Sequence, residues 1–198
     1  MATNPPSDHQ QHPLSIDEIE QLLTTGADRP VEISDTTGQR VGAMAHSQLD
    51  HAIQTAAQLK QWAPDDEELQ VAGLVHDIGQ LMEGVGDVDH PAAGAAAVRQ
   101  ALGQRVAQLV ALHVEAKRYL VAKEGQYNAA LAADSVASLA LQGGPMLPSE
   151  TTNFEQNPHF ADAVLLRRAD ESAKIEGLQV AALGQWMEIV RRVHTHQP

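Results

Sequence analysis

The chain has 198 residues, enough for one domain with a sizeable core. Hydrophobic residues make up 43% of the chain but aromatic residues only 3%, so Ala, Leu and Val must fill the core, which favours closely packed helices. The net charge of -13 argues against nucleic acid and against an anionic membrane as partners. The absence of cysteine excludes disulfide and thiolate chemistry and is compatible with a cytoplasmic protein, which is our expectation.

The chain begins with a polar stretch, residues 1–13, that contains prolines and no apolar run. It resembles neither a signal peptide nor a membrane span, so we expect a disordered tail. A single domain is then predicted over residues 14–198. Its first element is a short helix, because Ser15-Ile-Asp-Glu18 has the pattern of a capping box, and this helix should end near Gly26.

The next stretch, residues 27–45, predicts a loop that could cover a site, with one short extended piece around Val31 and Ile33. Apolar residues at helical spacing then predict a series of helices. These should cover residues 47–61, 66–81, 90–103, 104–119, 133–142, 158–175 and 178–194. Residues 83–89 should form a loop, 123–127 a turn and 146–158 an irregular segment. Since no convincing sheet is present, the predicted class is all-α.

Metal-ligand side chains occur in five separated segments of these helices. Adjacent residues on a helix point about 100° apart, so one metal rarely uses both members of a His-Asp pair unless the carboxylate bridges two ions. His76 and Asp77 stand within an apolar stretch and Asp170 follows Val164-Leu-Leu166 on a helix, and a buried carboxylate is costly unless it is paired or bound to metal. The predicted ligands are His51, His76, Asp77, His90, His113 and Asp170.

Histidine and carboxylate ligands without thiolate suit iron, manganese or other borderline-to-hard ions. Two ions could share the carboxylate of Asp77. One ion would then take three further ligands, namely His51, His76 and Asp170. The other would take His90 and His113. The alternative is a structural metal or an inactive site.

Several stretches of sequence resemble known families. The order of ligands resembles the HD-domain superfamily in its dinuclear form. More specific strings resemble the HD-domain mixed-valent diiron oxygenases of phosphonate catabolism over about residues 46–190. These strings are Gln48-Leu-Asp-His-Ala52 with Gln54-Thr-Ala56, His76-Asp-Ile-Gly79, His113-Val-Glu-Ala-Lys-Arg-Tyr119, Leu139-Ala-Leu-Gln-Gly-Gly-Pro-Met146 and Leu166-Arg-Arg-Ala-Asp-Glu-Ser-Ala-Lys174.

The resemblance implies an HD-domain helical bundle with a mixed-valent Fe(II)/Fe(III) pair at the six ligands. It implies dioxygen as a co-substrate and cleavage of the carbon–phosphorus bond of a 1-hydroxyphosphonate into phosphate and a carboxylate. The substrate supplies the electrons, so no reductant domain is needed. The expected partner is a small organophosphonate, and we expect a monomer or a weak homo-oligomer.

Three further residues fit a phosphonate dianion near the metals. Lys117 follows His113 by four residues and Arg167 precedes Asp170 by three, so each cation shares a helix face with a ligand. Ser135, at a predicted helix start, could add its hydroxyl group. Lys117 and Asp77 are the predicted catalytic residues, and Lys117, Arg167 and Ser135 are predicted to bind substrate. The alternative for both cations is a solvated or salt-bridged helix face.

The sequence also departs from the family pattern. Gln80 stands where members have a histidine that reaches the substrate, and we expect it to donate a hydrogen bond there. Members that act on amino-phosphonates carry a tyrosine and a glutamate at places that correspond to Val41 and Met44. A substrate without a primary amine is therefore expected, such as hydroxymethylphosphonate or a methylated-amine analogue. His46 or Glu83 could replace a missing group.

Two other functions remain open at this point. Generic HD domains are metal-dependent phosphohydrolases, which would act on a phosphate ester or nucleotide without oxygen. A non-catalytic metal-binding or ligand-binding module would show no turnover. The remaining cations near the predicted site, Arg118, Arg168 and Lys174, are interpreted only as solvated or salt-bridged residues.

Overall fold

A computed structural model of the chain describes residues 12–34, 37 and 39–196. These residues form a bundle of α-helices with one two-stranded sheet, which confirms the all-α HD-type bundle. Nearly all of the predicted tail at residues 1–13 lies outside the described part. No described helix is both long and apolar enough to cross a membrane. The helices are α1 (Ile16–Thr25), α2 (Gln48–Trp62), α3 (Glu67–Val75), α4 (Ile78–Leu81), α5 (His90–Lys123), α6 (Gly125–Ala129), α7 (Ala133–Leu141), α8 (Pro148–Glu155), α9 (Phe160–Ser172) and α10 (Leu183–Thr195).

Four helices, α2, α3, α5 and α9, pack on one another at the centre of the bundle. Aliphatic side chains such as Leu59, Leu109 and Leu166 are fully buried there, as the composition predicts. Small residues let the helices approach closely. A Cβ at Gly73 on α3 would lie 2.4 Å from Leu59 Cδ1 on α2, so only glycine fits without a shift of the leucine.

A hairpin precedes the bundle where the sequence predicted a loop. Strands β1 (Pro30–Ser34) and β2 (Arg40–Ser47) pair antiparallel, and β1 packs against α7. The extended piece at Val31 and Ile33 was therefore correct, but the loop prediction for 40–45 was wrong. Because Val41 is the one β-branched residue of β2 and the strand has no Phe, Tyr or Trp, its own sequence carries little strand signal. A lone two-stranded ribbon is marginal in water, so contacts with the bundle must support it.

The helix predicted over residues 66–81 is interrupted at His76 and Asp77. Helix α3 ends at Val75 and α4 begins at Ile78, with Asp77 at φ -100° and ψ 12° between them. The expected continuous helix is therefore wrong at this point. The break removes the 100° divergence of neighbouring helical residues, so the two side chains can serve one site.

Three other boundaries differ from the predictions. Helix α8 lies in the segment predicted to be irregular, where Pro148 starts it and the Glu150 carboxylate accepts the Leu147 N–H at 2.7 Å. Its polar sequence hid it, because capping rather than an apolar face marks its start. Residues 125–129 form α6 instead of a turn. Helix α10 begins at Leu183, five positions after the predicted start at Leu178.

Candidate functional site

The six predicted metal ligands converge from distant parts of the chain. His90 and His113 lie on the same helix, 23 residues apart, which is about 34 Å along a straight helix. Their Nε2 atoms are nevertheless only 3.1 Å apart. Gly103 makes this possible, since its φ of 85° and ψ of 174° turn α5 back on itself. That positive φ favours glycine, so the break predicted at Gly103 has a direct function in assembling the site.

The Asp77 carboxylate lies between two pairs of imidazoles. Its Oδ1 atom is 3.2 Å from His90 Nε2 and 3.3 Å from His113 Nε2. Its Oδ2 atom is 3.5 Å from His76 Nε2 and 3.9 Å from His51 Nε2. The two carboxylate oxygens therefore face two separate groups of metal-ligand atoms. This is the arrangement that a shared, bridging carboxylate requires.

Asp170 of α9 completes the first of these groups. Its Oδ1 lies 3.2 Å from His51 Nε2 and its Oδ2 lies 3.7 Å from His76 Nε2. We call His51, His76, Asp77 and Asp170 half-site A. The other group, Asp77, His90 and His113, is half-site B.

Backbone carbonyls orient all four imidazoles in the same way. Each Nδ1 lies within hydrogen-bond distance of a carbonyl oxygen, which can only accept, so Nδ1 carries the proton and Nε2 presents a lone pair to the cluster. In half-site A, Nε2 of His51 and Nε2 of His76 are 3.3 Å apart. Facing lone pairs at this distance repel unless a cation lies between them. The carbonyls belong to Ala173 for His51, Gly73 for His76, Asp87 for His90 and Val110 for His113.

Without ions, protons have to provide the missing positive charge. Burial opposes a proton on His51, but the hydrogen bond and charge of Asp170 outweigh it and raise the pKa of His51. Burial likewise opposes a proton on His90, and Asp77 outweighs it and raises the pKa of His90. Burial lowers the pKa of His76 to about 4. Metal ions would take the place of such protons, so the donor set fits metal binding that weakens at low pH.

A small cavity of about 50 Å³ opens beside the cluster. Besides the ligands, its lining holds three cations and two hydroxyl groups. These five residues, which we call the cationic wall, are Lys117, Arg167, Lys174, Ser135 and Ser138. The structure therefore brings the predicted Lys117, Ser135 and Arg167 to the same cavity as the metal ligands.

Lys117 has free hydrogen-bonding capacity. Its side chain is buried, and Nζ donates to Ser138 Oγ at 2.7 Å, which is its one hydrogen-bond partner among the described residues. An ammonium group has three N–H donors, so two remain for an anion. Burial, together with the charge of Arg167, lowers the pKa of Lys117 to about 8. The amine is thus still mostly charged at neutral pH.

Arg167, in contrast, is almost fully engaged by the protein. Its Nε donates to Tyr127 Oη at 2.7 Å, Nη1 donates to Asp170, and Nη2 donates to Ser135 Oγ at 2.8 Å and to Glu171. Four of its five N–H donors are therefore occupied. Hydrogen bonds from Arg167 to two phosphonate oxygens would require it to release a protein partner. The geometry therefore favours a single hydrogen bond from Arg167 to the phosphonate.

Two functional candidates on α9 and just beyond it were missed. Lys174 was interpreted as solvated or salt-bridged, and it is salt-bridged to Asp134 Oδ2 at 2.7 Å, but it also lines the cavity and donates to Ser135 Oγ at 2.7 Å. Glu171 accepts from several members of the cationic wall. The same helical spacing that singled out Arg167 beside Asp170 would also have found Glu171, four residues after Arg167, whereas Lys174 lies beyond the end of α9.

Gln80 lies in the cavity lining, as expected, with its Oε1 accepting from Gln48 Nε2 at 3.2 Å. Asp87 from the loop before α5 also lines the cavity, and it was not predicted. Burial raises the pKa of Asp87.

The hairpin contributes to the cavity through the other strand from the one predicted. Val31 and Glu32 of β1 line it, whereas Val41 and Met44 of β2 do not, and Val41 is 61% exposed. Val41 and Met44, which correspond to the tyrosine and glutamate of family members, therefore do not border the cavity, because β1 is the strand that lies against α7 and the site. Glu32 is ion-paired with Arg40 at 3.0 Å.

The two residues suggested as replacements, His46 and Glu83, are also outside the cavity lining. His46 is buried with its ring centroid 5.8 Å from that of His51, and its Nε2 has no hydrogen-bond partner among the described residues. Glu83 is exposed.

Comparisons with known proteins agree with this geometry. The HD domain family matches residues 49–170, which include all six ligands of the cluster. A hydroxymethylphosphonate dioxygenase from Gimesia maris is 35% identical over 185 residues, which cover 87% of this chain and 92% of that protein. A [1-hydroxy-2-(trimethylamino)ethyl]phosphonate dioxygenase (glycine-betaine-forming) from Leisingera caerulea is 34% identical over 64% of this chain and 69% of its own. The chain therefore belongs to the HD-domain family and, within it, to the phosphonate oxygenases that its motifs resemble.

Proposed function

We propose that this protein is an O2-dependent oxygenase that cleaves the carbon–phosphorus bond of a 1-hydroxyphosphonate into phosphate and a carboxylic acid. The observation that carries the proposal is the Asp77 carboxylate between two groups of imidazoles, next to a wall of buried cations. The relatives named as phosphonate dioxygenases support it independently. An HD-type phosphohydrolase would share the metal ligands but is not supported by those names.

The metal in this proposal is a mixed-valent pair of iron ions, one in each half-site. Imidazole and carboxylate ligands without thiolate suit iron, and the fixed Nε2 lone pairs suit two ions that share Asp77. When bound, the ions supply Lewis acidity and redox capacity for the reaction with dioxygen. The backbone carbonyls of Ala173, Gly73, Asp87 and Val110 would hold the imidazoles with Nε2 towards the ions.

The cationic wall would bind the phosphonate group. Lys117 offers two unused N–H donors and a charge, and Arg167 offers one N–H donor. Ser138 holds the Lys117 amine in place. Gln80 lies on the lining, where its amide can reach the substrate hydroxyl or carboxylate product. Five of the six ligands and Lys117 are buried, which would limit the access of bulk water to a substrate bound there.

The cavity favours a small substrate without a cationic substituent. Its volume of about 50 Å³ is far below the roughly 300–1,000 Å³ of pockets for drug-sized ligands. Quaternary ammonium groups are commonly bound by aromatic rings, and the described lining holds no Phe, Tyr or Trp. The acidic residue that the hairpin contributes to the cavity lining, Glu32, is already paired with Arg40. Hydroxymethylphosphonate is therefore the substrate that we propose.

The reaction with this substrate balances without a further reductant. Hydroxymethylphosphonate and one O2 give formate and phosphate, so the C–P bond breaks, carbon is oxidised, and dioxygen is reduced by electrons from the substrate. Each product contains oxygen that was not in the substrate.

The test is a paired assay on protein loaded with iron under anaerobic conditions. Formate and phosphate should appear together from hydroxymethylphosphonate when oxygen is admitted, and neither should appear without oxygen. Phosphate release from a phosphate ester at the same rate with and without oxygen would instead identify a phosphohydrolase. The absence of turnover on every phosphonate, with two irons bound, would leave a metal-binding module and refute the proposal.

A further inference from the structure

One carboxylate outside the metal ligands contacts much of the cationic wall. Glu171 Oε2 accepts from Ser135 Oγ at 2.8 Å, from Arg167 Nη2 and from Lys174 Nζ at 3.5 Å. Its Oε1 accepts the backbone N–H of Ala132 at 2.5 Å. The side chain is 12% exposed and is not part of the cavity lining, so it has no direct access to a ligand there.

Arg167 also pairs with Asp170 and Lys174 with Asp134, but Glu171 is the carboxylate that contacts both cations where they meet at Ser135. Arg167 Nη2 and Lys174 Nζ both donate to Ser135 Oγ, at 2.8 and 2.7 Å. Two positive groups so close repel each other, and a hydroxyl oxygen alone offsets little of that repulsion. The hydroxyl proton of Ser135 points to Glu171. The carboxylate therefore fixes the direction of all three groups.

Helix α7 depends on the same contact. Ala132, its N-cap residue, offers no side chain to cap the helix, and Glu171 of α9 accepts the Ala132 N–H instead. Of the nine residues of α7, only Ser135 is fully buried and β1 is the element packed against it, so the contact with Glu171 adds to that packing. Yet α7 also carries Ser138, which holds the Lys117 amine. Displacing α7 would thus disturb two parts of the wall.

We infer that Glu171 is a positioning residue of the phosphonate site, which holds Arg167, Lys174 and Ser135 in one anion-binding wall and fixes α7 against α9. The inference rests on the proposed function for the identity of the anion, which is the substrate phosphonate. It adds Lys174 to the wall as a third cation. Glu171 acts through these groups and does not touch the substrate.

The variant Glu171→Gln separates positioning from charge balance. Both oxygens of the Glu171 carboxylate act as hydrogen-bond acceptors. The glutamine amide has one acceptor oxygen, so its NH2 group must face another donor, either the Ala132 N–H or the cations. If Glu171 positions the wall, anion binding should weaken by about tenfold, the loss of one charged hydrogen bond. If Glu171 merely offsets positive charge, its loss should leave the wall more positive and tighten anion binding. The two roles thus predict changes of opposite sign.

The measurement is the Kd of inorganic phosphate for the metal-loaded protein by calorimetry, without oxygen or turnover. Phosphate carries the same charged oxygens as the phosphonate, and this assay is informative even if the oxygenase activity fails. The KM for hydroxymethylphosphonate should rise in parallel, with a smaller change in kcat. Metal content should stay near that of the wild type, because Glu171 ligates no metal in the proposed site.

Asp162→Asn is the matched control on the same helix. Asp162 also pairs with an arginine, Arg105 at 2.9 Å, but outside the cavity, so its loss should leave the phosphate Kd unchanged. The double variant Glu171→Gln with Ser135→Ala should lose little more phosphate affinity than whichever single variant loses more, since both substitutions disrupt one network. Tighter or unchanged phosphate binding in Glu171→Gln, additive losses in the double variant, or no phosphate binding by the wild type would each overturn the inference.

Discussion

The metal cluster and the cationic wall border the same cavity but differ in how their bonding capacity is used. In the cluster, four Nε2 atoms and the two oxygens of Asp77 face one another with no donor between them other than protons on the imidazoles. In the wall, Arg167 has four of five donors engaged by protein groups. The donor set of the cluster therefore fits ions taken from solution, whereas the wall is organised by the protein itself. Changes in the cluster should alter metal content, and changes in the wall should alter substrate affinity.

The largest effect is expected from Asp77→Ala, because Asp77 belongs to both half-sites. The variant should bind neither ion firmly and should show no turnover, since the shared ligand is lost and four imidazoles remain close together. The test is the iron content per chain of the loaded variant and of the wild type. The wild type should hold about two ions per chain. Asp89→Ala is the control, since Asp89 is exposed and outside the cavity lining.

His90→Ala sharpens the same comparison within the cluster. His90 contacts only half-site B, so about one of the two ions should remain, held by His51, His76 and the aspartates. A wild-type protein that saturates at one ion per chain, or a His90 variant that loses both ions equally, would contradict the two half-sites.

The next largest effect concerns the contact that holds half-site B in place. A Cβ at Gly79 would lie 2.1 Å from the backbone oxygen of His90. Because the clashing atom belongs to the backbone, no side-chain rotation can remove the clash. Gly79→Ala should therefore push α4 and the start of α5 apart, lower stability by roughly 1–3 kcal/mol and deplete one ion. Gly86→Ala is the control, because a Cβ there meets nothing within 4 Å. Thermal unfolding and metal content measured together test the pair, and normal metal content in Gly79→Ala would show that this contact can relax.

The cluster and the wall also differ in how far the sequence predicts them. The ligands could be found because imidazoles and carboxylates within apolar helices, such as His76 and Asp77 after Val71-Ala-Gly-Leu-Val75, are costly to bury without a charged partner or a metal. His90 and His113 meet in half-site B because α5 reverses its direction at Gly103. The glycine predicts a break in the helix there but not the direction in which the chain continues. The wall was only partly found, since a basic residue on a helix is more often solvated. Lys174 lies beyond the end of α9, and its partner Asp134 comes from a helix 40 residues away in sequence.

The same limit applies to the fold. Helix α1 was predicted nearly to the residue because its capping box, Ser15 with Glu18, is a local signal that the structure retains. Strand β2 and helix α6 carry no comparable signal, and contacts made after the chain folds determine them. The orientation of the hairpin decided which strand reaches the cavity, and no property of Val41 or Met44 alone could have shown that.

Within the wall, Lys117→Ala should reduce turnover while leaving metal content near that of the wild type. A charge-assisted contact contributes roughly 1.5–3 kcal/mol, which corresponds to about a 10- to 150-fold loss in kcat/KM. Lys123→Ala is the control, since Lys123 lies on the same helix but is exposed and pairs with Glu155. Unchanged kinetics in Lys117→Ala would show that the unused donors of Lys117 do not meet the substrate.

The pH dependence should report the same amine. Burial lowers the pKa of Lys117 from 10.5 to about 8, so the charged form is complete below that pH and is lost as the pH rises through it. The kcat/KM of the wild type should therefore fall above pH 8, by up to about tenfold per pH unit. In Lys117→Ala this alkaline fall should be absent. An identical fall in both proteins would assign it to another group.

The smallest expected effect concerns substrate choice, which depends on the mouth of the cavity rather than on either of its main parts. Val41 and Met44 do not line the cavity, so the expectation of a substrate without a primary amine now rests on Glu32. Glu32 is the acidic residue that the hairpin contributes to the cavity lining, and its pairing with Arg40 places a positive charge beside it, where a substrate ammonium would be repelled.

We expect 1-hydroxy-2-aminoethylphosphonate to be a poorer substrate than hydroxymethylphosphonate by roughly fivefold in kcat/KM, which corresponds to the loss of one neutral hydrogen bond. Arg40→Gln should narrow this difference, because it frees Glu32 to pair with the amine, while kcat/KM for hydroxymethylphosphonate stays nearly constant. A preference for the amine in the wild type would mean that Glu32 leaves Arg40 when substrate binds.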